Sequence, residues 1–484
     1  MPESAPQPEA PIAAPVPICV DLDGTLVKSD TLVDSLLALA RNRPMLIFQL
    51  PGHLLDGKAA FKAFVSQSIS LDVAHLPYNH KVLQFLQEER ARGRAIYLTT
   101  GADMGVARRV ATHLGIFTGV LASDGANNLT GGKKLESLRA NLGSEPFDYI
   151  GNDTPDLPLL AAARVAMVAN PTLSLSMDMR SRGIRPARQF NEGSPLVKSL
   201  LKALRLQQWA KNLLVFVPLF LSHALSFENL LAAINAFYCL SLAGSAAYIL
   251  DDLLDIEADR RHPQKRLRPF ASGDLSALAG IAIVALLLVL GVLAGSILPE
   301  GFFGWLLLYW AAILVYTWIL KRIPLMDVLA LSGLYILRLL AGAAATLTPV
   351  SPWLAGFSIF LFLSFAIAKR FVELENLRAS GSTPKSGRGY LLADREQLRS
   401  FGTASAYAAV AVFAIYVSGP DAAKLYSQPR LLWLIAPLMI LWLNRVWLLA
   451  SRGELDNDPV IFALTDGTSL LIGAAVVVIA LFAV

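Results

Sequence analysis

The 484-residue sequence predicts two fold classes in one chain. Residues 18–172 read as a doubly wound α/β domain with an inserted helical cap, and residues 204–484 as an all-α membrane bundle of nine transmembrane helices. Three observations carry this. Hydrophobic residues make up 55% of the chain and charged residues only 16%, against about 25% charged in an ordinary soluble protein. The apolar residues are unevenly spread: short strand-like runs alternate with helical patterns up to about residue 172, and long apolar segments dominate after 204. The basic residues of the second part cluster in alternate loops between those segments, as in membrane proteins. The net charge of +5 therefore gives no reason to expect a nucleic-acid partner.

Residues 1–17 are rich in proline and read as a disordered leader. They lack the basic-then-apolar order of a signal peptide. The runs ICVD (18–21), AIYLTT (95–100), FDYIGND (147–153) and VAMVAN (165–170) read as parallel strands buried on both faces. Residues 29–94 are too long for one crossover, hence the cap. Residues 173–203 carry Arg, Ser and Pro and read as a linker ending in a basic amphipathic stretch. Apolar segments follow at 211–227, 229–250, 277–296, 301–319, 325–347, 353–368, 402–418, 430–449 and 466–483, several close to the roughly 20 residues that span a bilayer.

With a cytoplasmic N-terminus, the inside loops carry Arg260, Arg261, Lys265, Arg266, Arg268, Lys321, Arg322, Lys369, Arg370, Arg378, Lys385, Arg388, Arg395, Arg399 and Arg452; the outside loops carry only Lys424 and Arg430. The asymmetry places the N-terminal domain in the cytoplasm, and the C-terminus on the outer side of a bacterial inner membrane. Cys19 and Cys239 cannot make a disulfide framework. His53, His75, His80, His113 and His223 show no metal-ligand spacing.

Two motifs carry chemistry. The first is ICVDLDGTLV, where a buried strand ends in Asp21 and Asp23. Side chains two apart on a strand point the same way, so both acids converge at the carboxyl end of the sheet, where α/β ligands bind. Two close carboxylates repel unless a cation lies between them. Mg²⁺ would serve, leaving one carboxylate to attack phosphorus. This motif resembles the haloacid dehalogenase-like (HAD) superfamily, Rossmann-like domains that are mostly phosphatases. The resemblance covers residues 18 to about 172. It implies Asp21 as nucleophile, Asp23 as general acid and then base, Thr100 of LTTG as a phosphoryl ligand, and Lys134 as the neutralising cation, with Lys133 as its competitor. It also implies that GNDTPD supplies metal ligands from Asp153 and Asp156. Asn152 stands where the family usually has Asp.

The second motif is YILDDLLDIEADRRHPQKRLRPFASG (248–273). Asp252, Asp255 and Asp259 fall at i, i+3 and i+7, on one helix face, with Asp251 and Glu257 off it. Three carboxylates on a stripe call for cations, and Mg²⁺ with substrate phosphates is the ordinary solution. Arg261, Lys265, Arg266 and Arg268 follow and could grip phosphate oxygens. The stretch resembles the Asp-rich motif of the UbiA superfamily of membrane prenyltransferases, NDxxDxxxD, with Asp251 in place of Asn. The resemblance covers about residues 200–484. RLQQWAKN (205–212), HPQKRLRP (262–269) and KRIPLMDVLALSGLYILRLLAG (321–342) look like the decaprenyl-phosphate phosphoribosyltransferase branch, whose donor is phosphoribosyl pyrophosphate (PRPP). The second DxxxD of aromatic prenyltransferases is missing: Leu331 stands four residues after Asp327.

Asp327 and Arg338 lie eleven residues apart, about three helical turns, and so share a face. Ionisable groups inside a membrane span read as functional. With Lys211, Asn212, Tyr316, Lys321, Lys369 and Arg370 they are expected to bind a substrate with several phosphates. Glu373 lies beside them. Together the resemblances imply Mg²⁺, PRPP, a polyprenyl phosphate and the bilayer as partners, with a homo-oligomer left open. They imply transfer of 5-phosphoribose to the lipid phosphate, then removal of the 5-phosphate by the HAD domain. The alternative is a prenyl diphosphate donor with a regulatory or inactive HAD domain.

Overall fold

The computed structural model describes residues 15–223, 225–379, 389–455 and 459–484. Most of the expected leader, and Lys385 and Arg388 of the basic loops, lie outside the described residues. The chain divides into two compact units: Met1–Ala203 with Ile249–Ala282, and Leu204–Tyr248 with Ile283–Val484. The first unit thus takes in the Asp-rich stretch as well as the N-terminal domain.

In the first unit a six-stranded sheet runs in the order β3-β2-β1-β4-β5-β6, every pairing parallel. The strands are β1 (Ile18–Val20), β2 (Ile96–Asp103), β3 (Gly119–Ser123), β4 (Asp148–Gly151), β5 (Val165–Ala169) and β6 (Arg188–Phe190). The four expected strands are β1, β2, β4 and β5, the inner four. The edge strands β3 and β6 escape the apolar-run criterion because an edge strand is covered less completely. β6 also corrects the reading of 173–203 as a linker: it pairs with β5, from Met167↔Arg188 to Ala169↔Phe190. Side chains of β1 fill both faces, with Ile18, Val20, Leu98 and Ile150 on one core and Cys19, Tyr149 and Val168 on the other.

Between β1 and β2 lie α1 (Thr31–Asn42), a 3₁₀ turn (Pro44–Gln49), α2 (Leu50–Leu55), α3 (Lys58–Ser68) and α4 (His80–Ala91). Asp30 starts α1 by accepting from the N–H groups of Leu32 and Val33. The remaining helices of the domain are α5 (Met104–Leu114), α6 (Gly132–Leu142), α7 (Leu157–Ala162), α8 (Leu173–Ser181) and α9 (Leu196–Leu204).

The helical part continues with α10 (Val217–Leu221), α11 (Phe227–Leu254), α12 (Ile256–Arg261), α13 (Ala277–Gly295), α14 (Glu300–Trp318), α15 (Met326–Thr346), α16 (Pro352–Ala379), α17 (Arg395–Ser418), α18 (Pro420–Leu425), α19 (Ile435–Arg452), α20 (Pro459–Thr465) and α21 (Gly467–Ala483). Among the described residues seven helices are long and apolar enough to cross a membrane, or eight if α20 and α21, bent by 77°, form one span. The first expected span, 211–227, falls on a 3₁₀ stretch (Leu206–Phe216) followed by the short α10 (Val217–Leu221). Pro218 at the start of α10 lacks the N–H a continuous helix would use there. This stretch packs tightly on α15: a Cβ at Gly342 would lie 2.1 Å from the Val215 carbonyl oxygen, so only glycine fits.

Candidate active sites

The loop after β1 carries the first acids. Gly24 has φ +76°, which favours glycine, and a Cβ there would lie 2.0 Å from Asn152 Nδ2 and displace that side chain. Asn152 Oδ1 accepts from Thr25 Oγ1 at 3.2 Å. The N–H of Thr31 donates to Asp23 Oδ1 at 2.8 Å, tying the acid to the first turn of α1. Lys134 reaches in from α6: its Nζ donates to Asp21 Oδ1 at 2.8 Å and to Asp156 Oδ1 at 2.9 Å. Lys133 is exposed, so the geometry places Lys134, not Lys133, beside Asp21. Thr100 is buried on β2, and its Oγ1 accepts from the Ala102 N–H at 3.1 Å.

Asp156 is held by several donors. Its Oδ1 also accepts from Tyr149 Oη at 2.7 Å, and its Oδ2 from the Asn152 and Asp153 N–H groups at 3.0 and 3.5 Å. A buried carboxylate so fully supplied with donors holds Lys134 and the β4 turn. Asp153 caps that turn, its Oδ1 accepting from Thr154 N and Thr172 Oγ1. Sequence reasoning missed Lys62 on α3, whose Nζ donates to Gly101 O at 2.6 Å and Asn128 Oδ1 at 2.9 Å. Nothing in a cap helix 39 residues from Gly101 signals that approach.

Electrostatics set these acids apart. Burial pushes Asp21 up to about 7, with Lys134 opposing and Asp156 adding to the rise. Burial, then Asp30 and Asp21, push Asp23 up to about 8. Burial disfavours the charge on Lys134, but Asp21 and Asp156 outweigh it and hold its pKa above the ordinary value. An acid whose folded pKa is raised stabilises the fold fully below its unfolded pKa, about 4. That contribution is lost as pH rises through 7 to 8. A cation beside the acids offsets the loss. Mg²⁺ is therefore expected to raise the melting temperature of the chain more at pH 8 than at pH 5, in thermal-shift measurements at matched ionic strength.

The Asp-rich stretch straddles the end of α11. Asp252 and Asp259 share one cation: Arg268 Nη1 lies 3.0 Å from Asp252 Oδ1 and 2.7 Å from Asp259 Oδ2. Asp255 falls in the one-residue break between α11 and α12 and pairs with Arg41 of α1, so the three acids do not converge on that single cation. Arg41 also donates to the Leu254 carbonyl at 3.0 Å. Arg260 is buried and anchored in the N-terminal domain, with Nη1 2.8 Å from Asp34 Oδ2 and Nη2 3.1 Å from Ser29 Oγ. Lys265 and Arg266 are exposed.

The second unit holds a separate network. Arg370 donates all five N–H groups: to Asp327 (Nε 2.5 Å, Nη2 2.9 Å), to both oxygens of Glu373 (2.7 Å each) and to Tyr316 Oη (3.2 Å). Arg370 and Asp327 thereby satisfy each other and join α14, α15 and α16. Arg338 donates to Asn212 Oδ1, Tyr309 Oη and the Leu334 carbonyl, at 2.8, 2.8 and 2.7 Å. Asn212 in turn donates to Ser241 Oγ at 2.9 Å. Lys211 is buried, and Lys321 and Lys369 are half-buried. Replacing Arg370 with Ala would leave Asp327 buried without its cation. It is expected to cost about 3–5 kcal/mol in denaturation of the detergent-solubilised chain. Lys at this position is expected to recover less than half, because it cannot fork onto a carboxylate.

Among the described residues no group of three or more His, Cys, Asp or Glu side chains is gathered to hold a metal ion. The donor chemistry nevertheless suits Mg²⁺, which takes one or two carboxylates plus substrate phosphates rather than a protein cage. Arg268 shows that Asp252 and Asp259 can share one cation.

Comparison with known proteins decides the family. The sequence pattern of the UbiA prenyltransferase family matches residues 213–467. The chain belongs to the UbiA prenyltransferase family. With its seven or eight apolar helices, this UbiA-family chain is an integral membrane protein. It is 36% identical to protein y4nM of Sinorhizobium fredii over 95% of this chain and 90% of that one. It is 30% identical to decaprenyl-phosphate phosphoribosyltransferase of Mycobacterium tuberculosis over 58% of this chain and 92% of that enzyme. A solved UbiA homolog from Archaeoglobus fulgidus, bound to GPP and Mg²⁺, matches at a TM-score of 0.45 and 18% identity, covering 59% of this chain and 98% of its own.

Proposed function

We propose that the UbiA-family part, residues 204–484 with the Asp-rich stretch inside it, transfers 5-phosphoribose from PRPP to a polyprenyl phosphate. The observation that carries this reading is the 30% identity to decaprenyl-phosphate phosphoribosyltransferase across 92% of that enzyme. Support comes from the Asp252–Arg268–Asp259 arrangement, an acid pair able to share a cation beside a basic loop. Bound Mg²⁺ would stabilise the charge developing on the leaving pyrophosphate. Asp252 and Asp259 would hold it, with Asp255 alongside. Arg268, Lys265 and Arg266, on the loop that follows, would grip phosphate oxygens. An oxygen of the lipid phosphate bonds to the anomeric carbon as the bond to pyrophosphate breaks.

The N-terminal domain, read as HAD-like over residues 18–172, would then remove the 5-phosphate. The Asp21 carboxylate attacks phosphorus, and Asp23 protonates the departing ribose oxygen. Asp23 next takes a proton from the water that hydrolyses the aspartyl-phosphate. Lys134 and Thr100 hold the phosphoryl group, and Asp21, Asp23 and Asp153 would supply metal ligands with Asn152 beside them. The Lys134–Asp21 contact at 2.8 Å supports this assignment. In this reading the domain faces the cytoplasm and the C-terminus the outer side of a bacterial inner membrane.

The test is one incubation of purified chain with Mg²⁺, PRPP and a polyprenyl phosphate, with lipids read by mass spectrometry. Lipid-linked ribose without its 5-phosphate is the expected product. Lipid-linked phosphoribose alone would retain the transferase and discard the phosphatase. Consumption of a prenyl diphosphate but not of PRPP would overturn the donor assignment.

A further inference from the structure

Helix α1 ends against the C-terminal end of α11. Arg41, in its last turn, donates to the carbonyl of Leu254 and pairs with Asp255, at the C-terminus of the candidate span Phe227–Leu254. Leu254 lies four residues past Leu250, the last apolar residue before Asp251 and Asp252. That is about 6 Å of helix, within the polar layer of roughly 5–8 Å that flanks each side of the hydrocarbon. If α11 spans the bilayer up to Leu250, the segment that follows α1 starts within reach of the lipid headgroups.

The chain leaves this point through Arg43 and enters the 3₁₀ turn Pro44–Gln49 and α2. Neither contains a buried residue. Instead they present Met45 (77% exposed), Phe48 (82%), Leu54 (55%) and Leu55 (90%). Clusters of large exposed apolar side chains mark contact surfaces. Arg43 and Lys58 flank the segment, as basic residues do where an amphipathic stretch meets anionic lipid. The same segment is joined to the phosphoryl site. His53 of α2 stacks on Phe64 of α3 at 3.9 Å, and Lys62 of α3 donates to Gly101 O, next to Thr100.

We propose that Pro44–Leu55 inserts into the bilayer interface and is the device by which the phosphatase domain takes its substrate from the membrane. The substrate class is then a lipid-linked phosphomonoester rather than a soluble one. This part rests on the phosphatase reading above; the insertion itself does not.

The experiment uses the full chain in nanodiscs containing anionic lipid. Phe48→Cys carries an environment-sensitive fluorophore, and Gln87→Cys, at an exposed position of α4, is the aqueous control; Cys19 and Cys239 are buried. Spin-labelled lipids are expected to quench the probe at 48 at least threefold more than the probe at 87, with iodide showing the reverse order. Equal quenching at both positions overturns the insertion. In parallel, a Phe48→Ser, Leu55→Ser double variant is expected to lose tenfold or more of kcat/KM on lipid-linked phosphoribose while hydrolysing p-nitrophenyl phosphate within twofold of wild type. Equal loss on both substrates, or none on the lipid, overturns the substrate claim. A wild type inert toward both would sink the phosphatase reading, while the quenching result would stand by itself.

Discussion

An Asp21→Asn chain, given PRPP, Mg²⁺ and polyprenyl phosphate, is expected to stop at the lipid-linked phosphoribose. Phosphomonoester hydrolysis should fall by roughly 10⁴-fold or more, the scale of removing a nucleophile from a concerted site. Asp21 is buried and its carboxylate touches Lys134 at 2.8 Å. Asn keeps the size and an acceptor for Lys134, so the fold should survive while the attacking oxygen is lost. Product ratios by mass spectrometry check the effect, with phosphate release measured separately. Full conversion to dephosphorylated lipid by this variant would remove Asp21 from the mechanism. An unchanged rate of lipid-linked product formation in the same sample would show that the transferase does not depend on the acid.

Asp252→Asn is expected to act on the other half. Ribosyl transfer should fall by about 10²–10³-fold, the scale of losing one preorganised electrostatic contact to developing charge. Hydrolysis of added phosphomonoester should persist. Asp252 is buried and shares Arg268 with Asp259. The variant removes one negative charge from a position able to hold a cation and leaves Arg268 on Asp259. The apparent Mg²⁺ requirement should therefore rise together with the loss of rate, and excess Mg²⁺ should recover part of it. A loss of rate with an unchanged Mg²⁺ requirement would assign Asp252 to packing instead. The two variants mixed together should restore dephosphorylated product if the lipid intermediate can leave one chain and enter another.

Sequence patterns reveal what is written in period and spacing. The inner strands β1, β2, β4 and β5 are legible because strands covered on both faces must be continuously apolar. The Asp21–Asp23 pair is legible because a two-residue spacing puts both side chains on one face at a strand end. The membrane part is legible in its apolar lengths and in the placing of Arg and Lys in loops. Composition is silent where a role depends on who arrives from elsewhere. Lys133 and Lys134 are neighbours in sequence; only the fold sends Lys134 inward to Asp21 and leaves Lys133 in water. Asp156 lies in a metal-like motif, yet the donors of Tyr149, Lys134 and the β4 turn claim its oxygens.

The same division holds at the Asp-rich stretch and in the helices. Spacing puts Asp252, Asp255 and Asp259 on one helical face, but a break at Asp255 and the approach of Arg41 separate the middle acid from the pair bridged by Arg268. Arg370 and Asp327 announce themselves as costly charges in apolar segments. Their mutual satisfaction, 43 residues apart in sequence, needs α15 and α16 side by side. Local periodicity is therefore enough for the two fold classes, the inner strands, the apolar helices and the residue types of both motifs. Which charges meet is settled by packing, since a charge is neutralised by whichever partner the fold brings within hydrogen-bond distance, however far away it lies along the chain.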